Sequence, residues 1–151
     1  MLRINRQTDY AVRVILALAK RGIGVRLSTK EIQQEMLIPP ALMMRIVAQL
    51  AKHDLLHTFP GREGGLMLPR PASQITLKDI VEAFEGPILL SQCLQPKGED
   101  DCPFRSNCPV RLKWGRVQVA MLREMAAITF EELSREALGI PLVTSNLQGI
   151  V

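Results

Sequence analysis

The chain has 151 residues with 47% hydrophobic and 23% charged side chains, the length of one domain and the composition of an ordinary globular protein. Aromatic residues make up only 4%, so the core rests on Leu, Ile, Val, Ala and Met, and the composition argues against a reader of single strands by base stacking. No apolar run approaches the roughly 18 residues that span a bilayer. The apolar stretch 14–19 is too short for a signal-peptide core. The expected compartment is the cytoplasm, where thiols stay reduced, and no membrane partner is expected.

The net charge of +4 is unevenly spread. Up to Gln74 there are eleven Lys and Arg against five Asp and Glu, a balance of +6; from Ile75 onward there are eight against ten, a balance of −2. A basic first half points to a polyanionic partner.

In chain order, Thr8 is a candidate N-cap for a first helix carrying Ala11, Val14, Ile15 and Leu18 at helical spacing and closed by Gly22. Ser28 or Thr29 opens a second, short helix to about Met36. Leu37 and Ile38 make a tight connection, and Pro39-Pro40 starts a third helix, where proline's missing N–H costs nothing. That helix places Leu42, Met43, Ile46 and Leu50 inward and Ala41, Met44, Arg45, Ala48 and Lys52 outward. Residues 57–68 read as two short strands around a Gly-rich turn with Arg62 at its tip. Helix, helix, tight turn, helix and hairpin is the order of a winged helix-turn-helix. On this reading Thr29, Ala41, Met44, Arg45, Lys52 and Arg62 face double-stranded DNA. Arg45 and Lys52 suit phosphate or a base edge, and Met44 offers apolar contact. His53 and His57 read as groove-side or solvent residues.

Thr76 caps a helix over 77–85, stopped by Gly86-Pro87. After Pro109 a long helix carries one apolar stripe of Val110, Trp114, Val117, Met121 and Met125 and a narrower one of Leu112, Val119 and Ala126. A surface helix needs one stripe; two imply burial on two sides. The first stripe is therefore the expected homodimer interface, consistent with a pair of subunits reading a palindromic promoter about one duplex turn apart. Thr129 to Glu132 reads as a capping box for a last helix ending near Gly139. The uncharged tail 140–151 has no clear periodicity. The fold class is mainly α with a small β wing. Residues 1–74 form a winged helix-turn-helix DNA-binding domain, 75–139 hold a cysteine loop and dimerisation helices, and 140–151 form the tail.

Cys93, Cys102 and Cys108 share a polar loop. Three thiols separated by eight and five residues, beside Gly, Pro and acids, are not core sequence, and an odd count in a reducing compartment does not make a closed disulfide set. They read as metal ligands; zinc with a fourth donor and an iron–sulfur cluster are both compatible with thiolate chemistry. No nucleotide loop, catalytic triad or carboxylate pair is present, so no enzyme is expected.

The chain resembles the IscR/NsrR/RirA family of bacterial winged-helix transcription regulators. The marks are Leu2-Arg3-Ile4, Thr8-Asp9-Tyr10-Ala11-Val12-Arg13, Gly61-Arg62-Glu63-Gly64-Gly65, Arg70-Pro71-Ala72, Ile75-Thr76-Leu77-Lys78-Asp79-Ile80-Val81 and the three-cysteine loop with its following helix. The resemblance implies a homodimer swapped along the long helix and an iron–sulfur cluster on Cys93, Cys102 and Cys108, with [4Fe-4S] ahead of [2Fe-2S]. It also implies a repressor whose promoter binding is set by nitric oxide, redox state or iron. Family members of one kind carry a histidine ligand where this chain has Arg111. In another kind an aspartate near the start of the first helix reaches the neighbouring subunit's cluster; its counterpart here is Asp9, which as a plain first-turn acid also suits the helix dipole. Two positions depart from the family pattern: Pro39-Pro40 replaces hydroxyl residues, and Pro60 stands where a wing arginine is common. Two rivals are a metal-free or zinc-bound regulator of the same fold and, further off, an iron–sulfur electron carrier.

Overall fold

The computed structural model describes residues 3–95 and 102–139. Leu2, the loop segment 96–101 and the tail 140–151, for which expectations are stated above, lie outside the described residues. Six α-helices and one two-stranded antiparallel sheet are present among them, in the order α1 Arg6–Arg21, α2 Thr29–Met36, α3 Pro40–Lys52, β1 His57–Phe59, β2 Gly65–Met67, α4 Leu77–Glu85, α5 Pro109–Ala127 and α6 Phe130–Ala137.

The first helix starts earlier than the sequence suggests. Its N-cap is Asn5, whose side-chain oxygen accepts from the Thr8 N–H at 2.9 Å. Thr8 lies inside the first turn and is wholly buried, so its hydroxyl is turned inward rather than capping. Three of the later starts, those of α2, α4 and α6, follow their polar residues. Ser28 and Thr76 each close a full capping box, with Glu31 and Asp79 returning the bond. Such boxes satisfy two N–H groups that the helix itself leaves without partners. Thr129 Oγ1 accepts from Glu132 N–H at 3.2 Å and starts α6. Pro39 and Pro40 open α3 with no side-chain cap.

α1 is the central post. Its Ala11, Val14, Ile15, Ala17 and Leu18 are buried together with Ile32 of α2, Met43, Ile46 and Leu50 of α3, Ile80 of α4 and Phe130 of α6. Leu42, expected inward, is half-buried, and Val47 is buried as well. One apolar cluster therefore holds the helix-turn-helix elements and the later helices α4 and α6. Phe130 binds in through its N–H to the Ile75 carbonyl at 2.9 Å. β1 and β2 pair in the register His57↔Met67, Thr58↔Leu66 and Phe59↔Gly65. Leu27 joins this edge by a one-residue bridge to Leu66.

Candidate nucleic-acid interface and cysteine loop

α2 and α3 meet at a turn made by Leu37, which sits in the left-handed region at φ 52. A non-glycine residue there is uncommon and costs on the order of 1 kcal/mol or more. Leu37 is also 80% exposed, so the sharp turn, not burial, explains its place. Beyond it α3 shows its inner face to the core and leaves Ala41, Met44, Arg45, Ala48 and Lys52 exposed, as the spacing predicts. Met44 is 70% exposed. Thr29 is the first residue of α2 and half-buried.

The wing follows α3 through buried Leu55 and Leu56. Its turn is built on glycine: Gly61 has φ 94, and a Cβ on Gly64 would lie 2.1 Å from the Phe59 carbonyl oxygen. Arg62 stands exposed at the tip. Arg70 closes the base of the wing by donating to the Asp54 carbonyl at 2.9 Å and the Gln74 carbonyl at 3.2 Å. His53 and His57 are exposed, His53 beside Gln49 at 3.3 Å.

Arg26 is a residue that sequence reasoning missed. Its guanidinium lies 3.7 Å from the centre of the Phe59 ring. Nothing in the pattern of residues around 26 announces that contact, because it is made across the bridge from Leu27 to Leu66.

In the cysteine loop, Cys93 sits in a short 3-10 turn, Gln92–Leu94, with its Sγ 3.2 Å from Ser91 Oγ. Cys108 is the N-cap of α5, its Sγ accepting the Arg111 N–H at 3.4 Å. Arg111 also donates from Nε to the Cys93 carbonyl at 2.7 Å. One arginine thus ties the segments carrying two of the three cysteines. Cys102 and Cys108 each border a cavity of about 470 Å³, and Arg105 and Arg111 line both. All three sulfur-bearing residues are half-buried. The donor set fits a thiolate-held centre in kind, three accessible sulfurs beside cationic side chains. Among the described residues, no three Cys, His, Asp or Glu converge as an assembled metal site. Asp9 lies apart at the start of α1, exposed and paired with Arg13 at 2.9 Å.

α5 turns one face to its own chain. Arg111 reaches Cys93, Gln118 Oε1 accepts from the Leu90 N–H at 3.0 Å, and Leu94 lies against Gly115. Met121 and Met125, assigned above to the dimer stripe, are half-buried and line a cavity of about 500 Å³ with Ile4, Val81 and Glu85. Val110, Trp114 and Val117 remain exposed on one shoulder, and Leu112 and Val119 on the other.

Residues 4–136 match the family described as "Rrf2: Iron-dependent Transcriptional regulator". The chain belongs to the Rrf2 family. Rrf2 relatives include the protein aau3 of Rhizobium meliloti, 32% identical over 87% of this chain and 84% of that one. The transcriptional regulator NsrR of Oceanobacillus iheyensis is 27% identical over 87% and 89%. Among solved structures, CymR of B. subtilis, titled the global cysteine regulator, matches with a TM-score of 0.69 at 25% identity, covering 90% of this chain and 98% of that one. The winged-helix fold and the role of transcriptional regulator, not enzyme, follow for this Rrf2 chain. No described helix is long and apolar enough to cross a membrane.

Proposed function

We propose that this Rrf2 regulator is a cytoplasmic homodimeric repressor that binds a palindromic promoter and is switched through its cysteine loop. The observation that carries the DNA-reading part is the outward face of α3. Arg45 and Lys52 stand exposed there beside Met44 and Ala41, and none of the carboxylates that pair other cations of the first half reaches them. Residues 1–74 form the reading module, with Thr29 at the start of α2 and Arg62 on the wing completing its surface. Exposed cations neutralise phosphates and set register, whereas base-edge contact gives sequence preference.

The second subunit covers the shoulders of α5. Val110, Trp114 and Val117 are exposed on one shoulder and Leu112 and Val119 on the other, and covering them with a second subunit takes that apolar surface out of water. Residues 75–139 serve this pairing and the switch.

For the switch, Cys93, Cys102 and Cys108 would supply three thiolates to an iron–sulfur cluster, with [4Fe-4S] ahead of [2Fe-2S] and Asp9 of the partner subunit as fourth donor. Such a cluster, when bound, would supply iron open to reaction with nitric oxide or oxygen and to loss when iron is scarce. Arg111 holds Cys93 against the start of α5, so rearrangement of the thiols is transmitted to the helix that pairs the subunits. The family's iron dependence and the thiol donors support this reading. A metal-free regulator of the same fold is the second reading, favoured by the lack of a converged ligand group among the described residues and by likeness to CymR. The deciding experiment is anaerobic purification followed by absorption spectroscopy and retardation of a promoter duplex. The proposal expects an iron–sulfur chromophore and a shift abolished by nitric oxide; a colourless protein that binds equally in both states supports the metal-free reading.

A further inference from the structure

Arg26 lies before α2, next to Leu27, and Leu27 exchanges both backbone hydrogen bonds with Leu66 of the wing, at 3.0 and 2.8 Å. Between Arg26 and the far wing strand stands Gly65. A Cβ there would lie 2.7 Å from the Leu27 carbonyl oxygen and 3.7 Å from Arg26 Cβ, so only glycine lets the two edges close and leaves the row open. Across that opening the Arg26 guanidinium rests on the Phe59 ring, 3.7 Å from its centre. Phe59 is half-buried and Arg26 exposed: the ring is a fixed platform, and the cation on it still meets solvent. Some cations of the basic half are paired, Arg13 with Asp9, and Lys20 and Arg21 sharing Glu35, while Arg26, like Arg45 and Lys52, has no carboxylate partner among the described residues. A planar guanidinium stacked over an aromatic ring keeps the N–H groups at its own edges free for an anion.

We propose that Arg26, held flat on Phe59, is a preoriented contact to the DNA backbone phosphates at the side of the wing, with Phe59 as its positioning residue. The proposal rests on the DNA-binding reading above and names a contact which that reading does not contain. Because the platform fixes the side chain beforehand, little rotamer freedom is lost when phosphate arrives. The contact carries charge but no base information, so it strengthens binding to every sequence alike.

The test is fluorescence anisotropy of the full-length protein on a mixed-sequence duplex and on a duplex enriched from a random pool, titrated between roughly 50 and 200 mM salt. Arg26→Ala is expected to lower the log–log salt slope by about 1 and weaken both duplexes about eightfold at 0.1 M salt, with the thermal midpoint unchanged. Arg26→Lys keeps the slope. Phe59→Leu weakens binding with the slope kept, and adding Arg26→Ala to it costs less than in the wild-type background. A wild-type slope in Arg26→Ala, or strict additivity of Arg26→Ala and Phe59→Leu, overturns the proposal while wild-type binding upholds the DNA-binding reading. Wild-type protein that retains neither duplex overturns that reading and the proposal with it.

Discussion

The hydroxyl of Thr8 donates to Glu85 Oε1 at 2.5 Å, joining the first turn of α1 to the last of α4 across 77 positions of sequence. The same carboxylate oxygen accepts the Asn5 N–H at 3.0 Å. Burial raises the Glu85 carboxyl, but the bonds from Thr8 and Asn5 outweigh it and hold its pKa below the ordinary value. Since the folded state keeps this group ionised to lower pH than the unfolded chain does, its contribution is fully present above the unfolded pKa and is lost as pH falls through the folded one. Thr8→Val is therefore expected to lose about 1–2 kcal/mol at pH 7. The gap from wild type should close as the pH falls below the glutamate range. Denaturant unfolding at several pH values checks both.

Phe130 is wholly buried against α1, so the reading module and the later helices share one core. Phe130→Ala is expected to cost about 3–5 kcal/mol. Amide exchange in α1 and α3 should rise together with that in α6. Exchange confined to α6 would mean that the two parts unfold separately.

Trp114 is the one tryptophan of the chain and is 44% exposed on α5. If a second subunit covers that shoulder, its emission shifts to the blue as protein concentration rises. Val117→Asp, at a position already 51% exposed, is expected to give monomers in sedimentation with the unfolding midpoint of the isolated subunit little changed. A concentration-independent spectrum and an unaltered mass would speak against pairing through this helix.

Arg111 bridges the Cys93 carbonyl and the Cys108 sulfur. Its replacement by Ala removes a charged hydrogen bond worth about 1.5 kcal/mol or more, so opening of the turn around Cys93 becomes roughly tenfold more frequent. The readout is the alkylation rate of Cys93 by mass spectrometry. An unchanged rate would show that Arg111 does not hold the loop.

Much of this fold was legible because its signals are local. Ser28, Thr76 and Thr129 each cap the helix they precede, and the outward face of α3 follows from helical spacing alone. Thr8 misled for a physical reason: a small hydroxyl is as good a partner for a distant carboxylate as for the helix end, and Asn5 upstream supplied the cap. The stripe on α5 shows where spacing stops short. Periodicity marks Met121 and Met125 as apolar but does not reveal that their own chain half-covers them while leaving Val110, Trp114 and Val117 exposed. Arg26 on Phe59 and Arg111 on Cys93 are contacts between segments remote in sequence, set by a strand bridge and by the approach of α5, and no spacing rule encodes them.

Control of DNA binding by the three thiols is open to direct measurement. The most direct measurement is promoter-duplex affinity of anaerobic wild-type protein beside a Cys93→Ser, Cys102→Ser, Cys108→Ser variant of equal thermal stability. A switch of ordinary strength, about 1–3 kcal/mol, predicts binding about 5- to 150-fold tighter for the wild type. Equal affinity of the two proteins would contradict it.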